Sequence, residues 1–224
     1  MLEQLFPNVI TLWPAIFKAL RETLIMVSIS GIFATMLGIP CGIILVITRP
    51  GHIWPQKYFN SALSKFINVL RSIPFVILIA AIPWLVRAIV GTTIGVKGAI
   101  VPLVISCFPF VSRQVELALL KVDSGVIEAY QAMGFDSFGI VTNVLLKEGF
   151  GGIIQAVTVS LVSLVGFSAI AGSVGGGGLG DFAIRYGYNM FKNDVMVVTI
   201  IIILSLVFTI QWVGDFFYKK TIHK

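Results

Sequence analysis

An all-α, polytopic membrane protein with about five transmembrane helices is the fold class that the sequence predicts, and three observations predict it. The 224-residue chain is 57% hydrophobic and only 12% charged, with a mean hydropathy of +0.99. A soluble domain carries charge at about a quarter of its positions. Its apolar residues, 17 Phe among them, fall in continuous runs, whereas the strands of a membrane barrel alternate polar and apolar residues. One stretch, Lys121 to Gly152, is of mixed polarity and holds four of the ten acidic residues, Asp123, Glu128, Asp136 and Glu148. A segment that polar cannot lie in hydrocarbon.

Residues 1 to 20, with Pro7, Trp13 and Pro14 beside Leu and Phe, read as an interfacial lead-in with an aromatic anchor. They lack the pattern of a cleaved signal peptide, and none is expected. The first span is Leu24 to Thr48, long enough at ~1.5 Å per residue to cross a ~30 Å core. Gly31, Gly38 and Gly42 along it either admit a close neighbouring helix or are simply tolerated. Arg49-Pro50-Gly51-His52 ends the span in a turn, and Lys57 and Lys65 make the following loop basic.

The second span, Phe66 to Val86, carries Arg71-Ser72-Ile73-Pro74-Phe75. Arg71 is expected to snorkel toward the basic loop, and Pro74 to bend the helix just beyond it. After a short loop from Arg87 to Lys97, the third span covers Ala99 to Leu119. Pro102, Pro109 and Arg113 interrupt it, so its last turns are expected to leave the membrane. Bent helices of this kind either line a translocation path or are kinked for structural reasons alone.

The segment from Lys121 reads as two short helices broken at Gly134-Phe135-Asp136-Ser137: Gly permits a left-handed terminus, and Asp136 or Ser137 caps the next helix. Ile127, Tyr130 and Met133 on the first piece, and Phe138, Val141, Val144 and Leu145 on the second, give each an apolar stripe to lay on a partner. The fourth span, Ile153 to Ala171, is the richest in hydroxyls; Ser160 and Ser163 either line a polar path or bond across helices. A glycine-rich loop, Gly172 to Asp181, follows, then Tyr186-Gly187-Tyr188-Asn189. It lacks a Gly-Lys-Ser/Thr ending and a preceding strand, so nucleotide binding is rejected. The fifth span is Val195 to Phe217, with a basic tail.

Three of these stretches resemble a known family. Glu128-Ala129-Tyr130, then Gly134, then Val144-Leu145-Leu146 is similar to the Glu-Ala-Ala loop of the permease subunits of type I, binding-protein-dependent ABC importers. Tyr130 departs from the second Ala of that pattern, Val144 from its Ile and Lys147 from its Pro. Arg71 to Phe75 and the glycine-rich stretch with Tyr186-Gly187-Tyr188 are similar to the methionine-importer permeases in particular, and the likeness covers residues 15 to 220.

The resemblance implies a single transmembrane permease domain over residues 1–224, with residues 121–148 as a cytoplasmic coupling-helix segment. It implies Glu128, Ala129, Tyr130, Gly134 and Leu146 as the positions coupled to an ATPase. Arg71, Ser72, Pro74, Ser160 and Ser163 are candidates for the path or its gate. The implied partners are a second copy of the chain in a homodimer, two cytoplasmic ABC ATPase subunits, a periplasmic or lipid-anchored substrate-binding protein, and membrane lipid. The implied activity is inward transport of methionine, L or D, or a related amino acid across the bacterial inner membrane.

Composition and motifs limit the rivals. The net charge of +6 is scattered over span ends, with no patch for nucleic acid. Cys41 and Cys107 lie in apolar spans without a ligand pattern, His52 and His223 are isolated, and no catalytic pair or Walker motif occurs. Neither a cofactor nor enzymatic activity is expected, and ATP hydrolysis falls to a separate subunit. No carboxylate is expected inside the spans, which argues against an ion-coupled secondary transporter. That transporter, and an ABC permease for another solute, are the alternatives. With the basic tail cytoplasmic and the N-terminus outside, ten of the 16 Lys and Arg residues fall inside, in keeping with the positive-inside rule.

Overall fold

A computed structural model describes residues 7–222, and among them every regular element is helical. In chain order these are α1 (Pro7–Ile47), α2 (Lys57–Ser72), α3 (Phe75–Ala81), α4 (Pro83–Val90), α5 (Gly95–Leu119), α6 (Ser124–Ala132) and α7 (Ser137–Ile140). A wide turn (Val141–Leu145) leads into α8 (Leu146–Ala171), another (Gly172–Gly176) into α9 (Gly178–Phe182), and a third (Ala183–Tyr188) toward α10 (Asn193–Ile222). Four stretches are long and apolar enough to cross a membrane: Pro7–Ile47, Gly95–Leu119, Ser137–Gly176 and Asn193–Thr221. The pair Lys57–Ser72 and Phe75–Ala81, bent by 95°, raises the number to five if it forms one broken span.

Several boundaries differ from the sequence expectation. The lead-in is the first part of α1, a helix of 41 residues and hence about 60 Å. Pro7 sits at its first position, where a missing N–H costs nothing, and Met1 to Phe6 lie outside the described residues. The second span is three helices, because Pro74 disfavours helical geometry at Ile73 before it, and Pro83 acts likewise on Ile82. The break therefore precedes Pro74. Conversely, α5 runs unbroken through Pro102 and Pro109, both buried; each proline removes one backbone bond, and the rest of the helix holds.

The chain packs as two units. One comprises residues 1–32, 73–106 and 161–211. Val9, Ile16 and Ala19 of α1 form a core there with Leu179, Phe182 and Val195. Asn8 donates its backbone N–H and its side-chain amide to the Asp194 carboxylate at 3.0 and 3.1 Å. The glycine-rich stretch is a set of helical turns rather than the loop expected. Glu22 Oε2 accepts from the Gly178 N–H at 2.9 Å, and Thr23 Oγ1 from the Leu179 N–H at 2.8 Å. Gly178 has φ +78°, and a Cβ on it would meet Thr23 Oγ1 at 2.6 Å, so only glycine lets this backbone approach α1.

The other unit comprises residues 33–72, 107–160 and 212–224. Gly38 and Gly42 are contact glycines: a Cβ on Gly38 would fall 2.6 Å from Val111, and one on Gly42 2.6 Å from the Ser112 carbonyl oxygen. Helices α1 and α5 thus touch backbone to backbone here. Asn60 at the head of α2 donates to the Leu45 carbonyl at 2.6 Å and to Thr48 Oγ1 at 3.0 Å, joining α2 to the end of α1.

The same unit overturns the expectation that no carboxylate lies within the spans. Glu116 of α5 is 7% exposed and forms an ion pair with Arg113. Arg113 also donates to Asn68 Oδ1 of α2 at 3.4 Å. An Arg-x-x-Glu spacing places both charges on one helix face, so the carboxylate is carried with its counter-charge.

Candidate functional site

The polar segment is built from local chemistry at each end of α6. Asp123 is its N-cap, accepting from the Gly125 N–H at 2.8 Å, and so satisfies a donor that the first turn cannot. At the other end Gly134 has φ +82°. Its N–H donates to the Gln131 carbonyl at 3.0 Å, and the Phe135 N–H donates to the Tyr130 carbonyl at 3.2 Å. That pair of bonds around a left-handed glycine is a Schellman motif, which is usually closed by an apolar contact between the residues at its two ends. Here Tyr130 and Phe135 supply it, with ring centroids 5.0 Å apart and the rings edge to face. Asp136 then caps α7, accepting from the Gly139 N–H at 3.0 Å.

The expected apolar stripes divide between the chain and solvent. On α6, Ile127 is buried within the protein, Tyr130 is half-buried against Phe135, and Met133 is 61% exposed. On the second piece Val144 and Leu145 are buried, Val141 is half-buried and Phe138 is 74% exposed. The second piece is not a separate short helix either. A wide turn at Val141–Leu145 carries α7 directly into α8, so residues 137–176 form one continuous apolar stretch long enough to cross a membrane. Glu128, Ala129, Gln131, Met133, Phe135 and Phe138 are left exposed.

Of the five positions expected to couple, Glu128, Ala129 and Gly134 are exposed and within one short turn-capped helix, whereas Tyr130 is engaged by Phe135 and Leu146 is half-buried at the head of α8. Glu128 forms no ion pair among the described residues. The path candidates are more scattered. Arg71 is exposed at the end of α2, its guanidinium 5.8 Å from the Phe110 ring centroid, a cation–π approach. Ser72 donates to the Asn68 carbonyl at 2.8 Å, and buried Ser160 to the Ala156 carbonyl at 2.7 Å. Both hydroxyls therefore serve their own helices. Pro74 is exposed and Ser163 half-buried, both in the first unit. His52 is half-buried rather than solvated. Burial, and then the neighbouring Arg49, lower its pKa below the ordinary 6.5, and its Nδ1 has no partner among the described residues.

Sequence reasoning missed Asp123 as a cap and the Arg113–Glu116–Asn68 group. The first could have been read from an acidic residue immediately before the helix, the second from the i, i+3 charge spacing.

Comparison with known proteins shows the family and the fold. The profile of a family described as binding-protein-dependent transport system inner membrane component matches residues 34–223. A probable D-methionine transport system permease protein of Vibrio cholerae is 43% identical over 222 residues, covering 97% of this chain and 99% of the relative. The methionine import system permease protein of Bacillus subtilis is 42% identical over 217 residues, covering 96% of each. Among solved structures, an inward-facing conformation of the MetNI methionine ABC transporter superposes with a TM-score of 0.91 at 40% identity, covering 94% of this chain and 98% of that one. An amino acid ABC transporter at 16% identity, with a TM-score of 0.74, shares the fold.

Proposed function

The chain belongs to the binding-protein-dependent transport system inner membrane component family, and we propose that it is the permease subunit of an ATP-driven ABC importer that moves methionine inward. It is a multi-pass protein of the inner membrane and not itself an enzyme; ATP hydrolysis belongs to a separate subunit. The observation that carries the reading is α6, a helix capped at both ends that turns Glu128 and Ala129 outward in a chain more than 40% identical over nearly its whole length to relatives named for methionine transport.

In this reading residues 1–224 form one permease domain, with residues 121–148 and the basic tail cytoplasmic and the N-terminus outside. His223 and Lys224 of that tail lie outside the described residues. Two copies of the chain pair in the membrane, two ABC ATPase subunits dock on the two coupling segments, and a binding protein delivers the solute from outside. Closure of the ATPases on ATP pushes on α6 through Glu128, Ala129 and the exposed rim of Met133 and Phe138. Gly134 lets the chain reverse within the lever, and α7 transmits the displacement into α8 because the two are joined without a break. Arg71, Ser72, Pro74, Ser160 and Ser163 are carried forward as path or gate positions.

Reconstitution with the ATPase and binding proteins encoded in the same genome tests the activity. Labelled methionine should accumulate only with ATP, and unlabelled methionine should compete. Accumulation driven by an ion gradient without ATP, or competition by an unrelated osmolyte alone, would overturn the reading.

A further inference from the structure

The second unit contains a cleft of about 480 Å³, and the two ends of the polar segment meet on its walls. Lys121, Asp123 and Val126 come from the entrance to α6, and Glu148 from the first turn of α8. Leu117 of α5 and Val159 of α8 complete an apolar side. The helices beside the cleft pack closely. Gly152 lets α8 approach α5 so closely that a Cβ on it would lie 3.0 Å from Ala118, and the Tyr218 ring lies 3.2 Å from where a Cβ on Gly151 would be.

The charges on this cleft are not spent on each other. Lys121 and Glu148 form no ion pair among the described residues, and Asp123 is occupied as the cap of α6. An exposed cation and an exposed carboxylate that line one open cleft without pairing, beside the partly exposed Leu117, Val126 and Val159, complement a small molecule carrying both charges and an aliphatic side chain. The volume lies within the ~300–1,000 Å³ range of small-molecule sites.

We propose that this cleft binds a small zwitterionic amino acid on the inner side of the membrane, its ammonium on Glu148, its carboxylate on Lys121 and its side chain along Leu117, Val126 and Val159. The inference rests on the importer reading, which supplies the amino acid and the sidedness. It adds a contact for the solute between the two ends of the lever, so that occupancy of the cleft holds the start of α6 against the head of α8.

Hydrogen–deuterium exchange on the permease–ATPase complex in lipid nanodiscs, with the external binding protein omitted, tests it. Peptides covering residues 114–126 and 146–159 should be protected by methionine. They should not be protected by N-acetylmethionine, which lacks the ammonium, nor by methionine methyl ester, which lacks the carboxylate. Loss of one charge-assisted contact in Lys121→Gln or Glu148→Gln should raise the half-maximal concentration about tenfold. Three results would overturn the proposal: no protection at saturation, equal protection by the blocked forms, or peptides already protected and unresponsive because another chain fills the cleft. The blocked-ligand comparison uses the native chain, so it decides even if a variant fails to assemble. Uptake measured in parallel separates the two readings: a cleft that binds methionine in a complex that does not import it counts against the importer alone.

Discussion

Glu128 and Gly134 stand apart from their neighbours because nothing in the chain itself requires the first, while the backbone requires the second. Glu128 is exposed and unpaired among the described residues, whereas Tyr130, which departs from the family pattern, is used internally to close the turn on Phe135. Replacing Glu128 by Ala should leave the permease folded and cut methionine uptake at least about tenfold while ATP hydrolysis continues, the loss expected when a contact that includes a charged group is removed. Gly134→Val forces a β-branched residue into a left-handed conformation, which costs about 1–2 kcal/mol or more, and should uncouple uptake in the same way. Normal uptake in both variants would remove α6 from the mechanism. Gly134 as a helix end and Asp136 as a cap were legible in the sequence because helix termination and capping are decided within a few residues. The Arg113–Glu116 pair was overlooked although both residues fall within the third span as read, because hydropathy averages over single charges and only the i, i+3 spacing reveals the pair.

Helix ends followed from hydropathy to within a few residues where an apolar run meets a turn, as at Ile47, Leu119 and Ala171. Prolines were less informative, because the same residue breaks the chain at Pro74 and is absorbed at Pro102 and Pro109. Whether a proline breaks a helix depends on what holds the segments either side, and that lies elsewhere in the sequence. The spacing of Gly38 and Gly42 left open whether they are contact points or merely tolerated; in the structure both meet α5. The same contact makes a prediction at this scale. Gly42→Ala puts a methyl group 2.6 Å from a backbone oxygen and 2.7 Å from Val115, and overpacking of this kind costs about 1–3 kcal/mol. The purified permease should melt at a lower temperature. Gly166→Ala, which meets nothing within 4 Å, should not shift the midpoint; equal effects at the two sites would contradict the close approach of α1 and α5.

Among the described residues the molecule is a set of long apolar helices with a short, capped, polar helix, α6, displayed between α5 and the stretch that leads into α8. Its class was legible because charge is so scarce that few other folds are compatible with the composition. The family was legible from three short stretches, each of which depends on a backbone feature: the capped turn at Gly134, the break before Pro74 and the clamped glycines after α8. The hydroxyls of Ser72 and Ser160, two of the path candidates, are bonded to their own helices. The central claim is that α6 receives work from a separate motor protein. Photo-crosslinking in intact membranes from exposed Gln131, replaced by a photoreactive residue, tests it most directly, with Phe191 as the comparison position. The account predicts an adduct between the permease and an ATP-hydrolysing subunit from position 131 and none from position 191; an adduct from 191 alone, or none with any ATPase from 131, would contradict it.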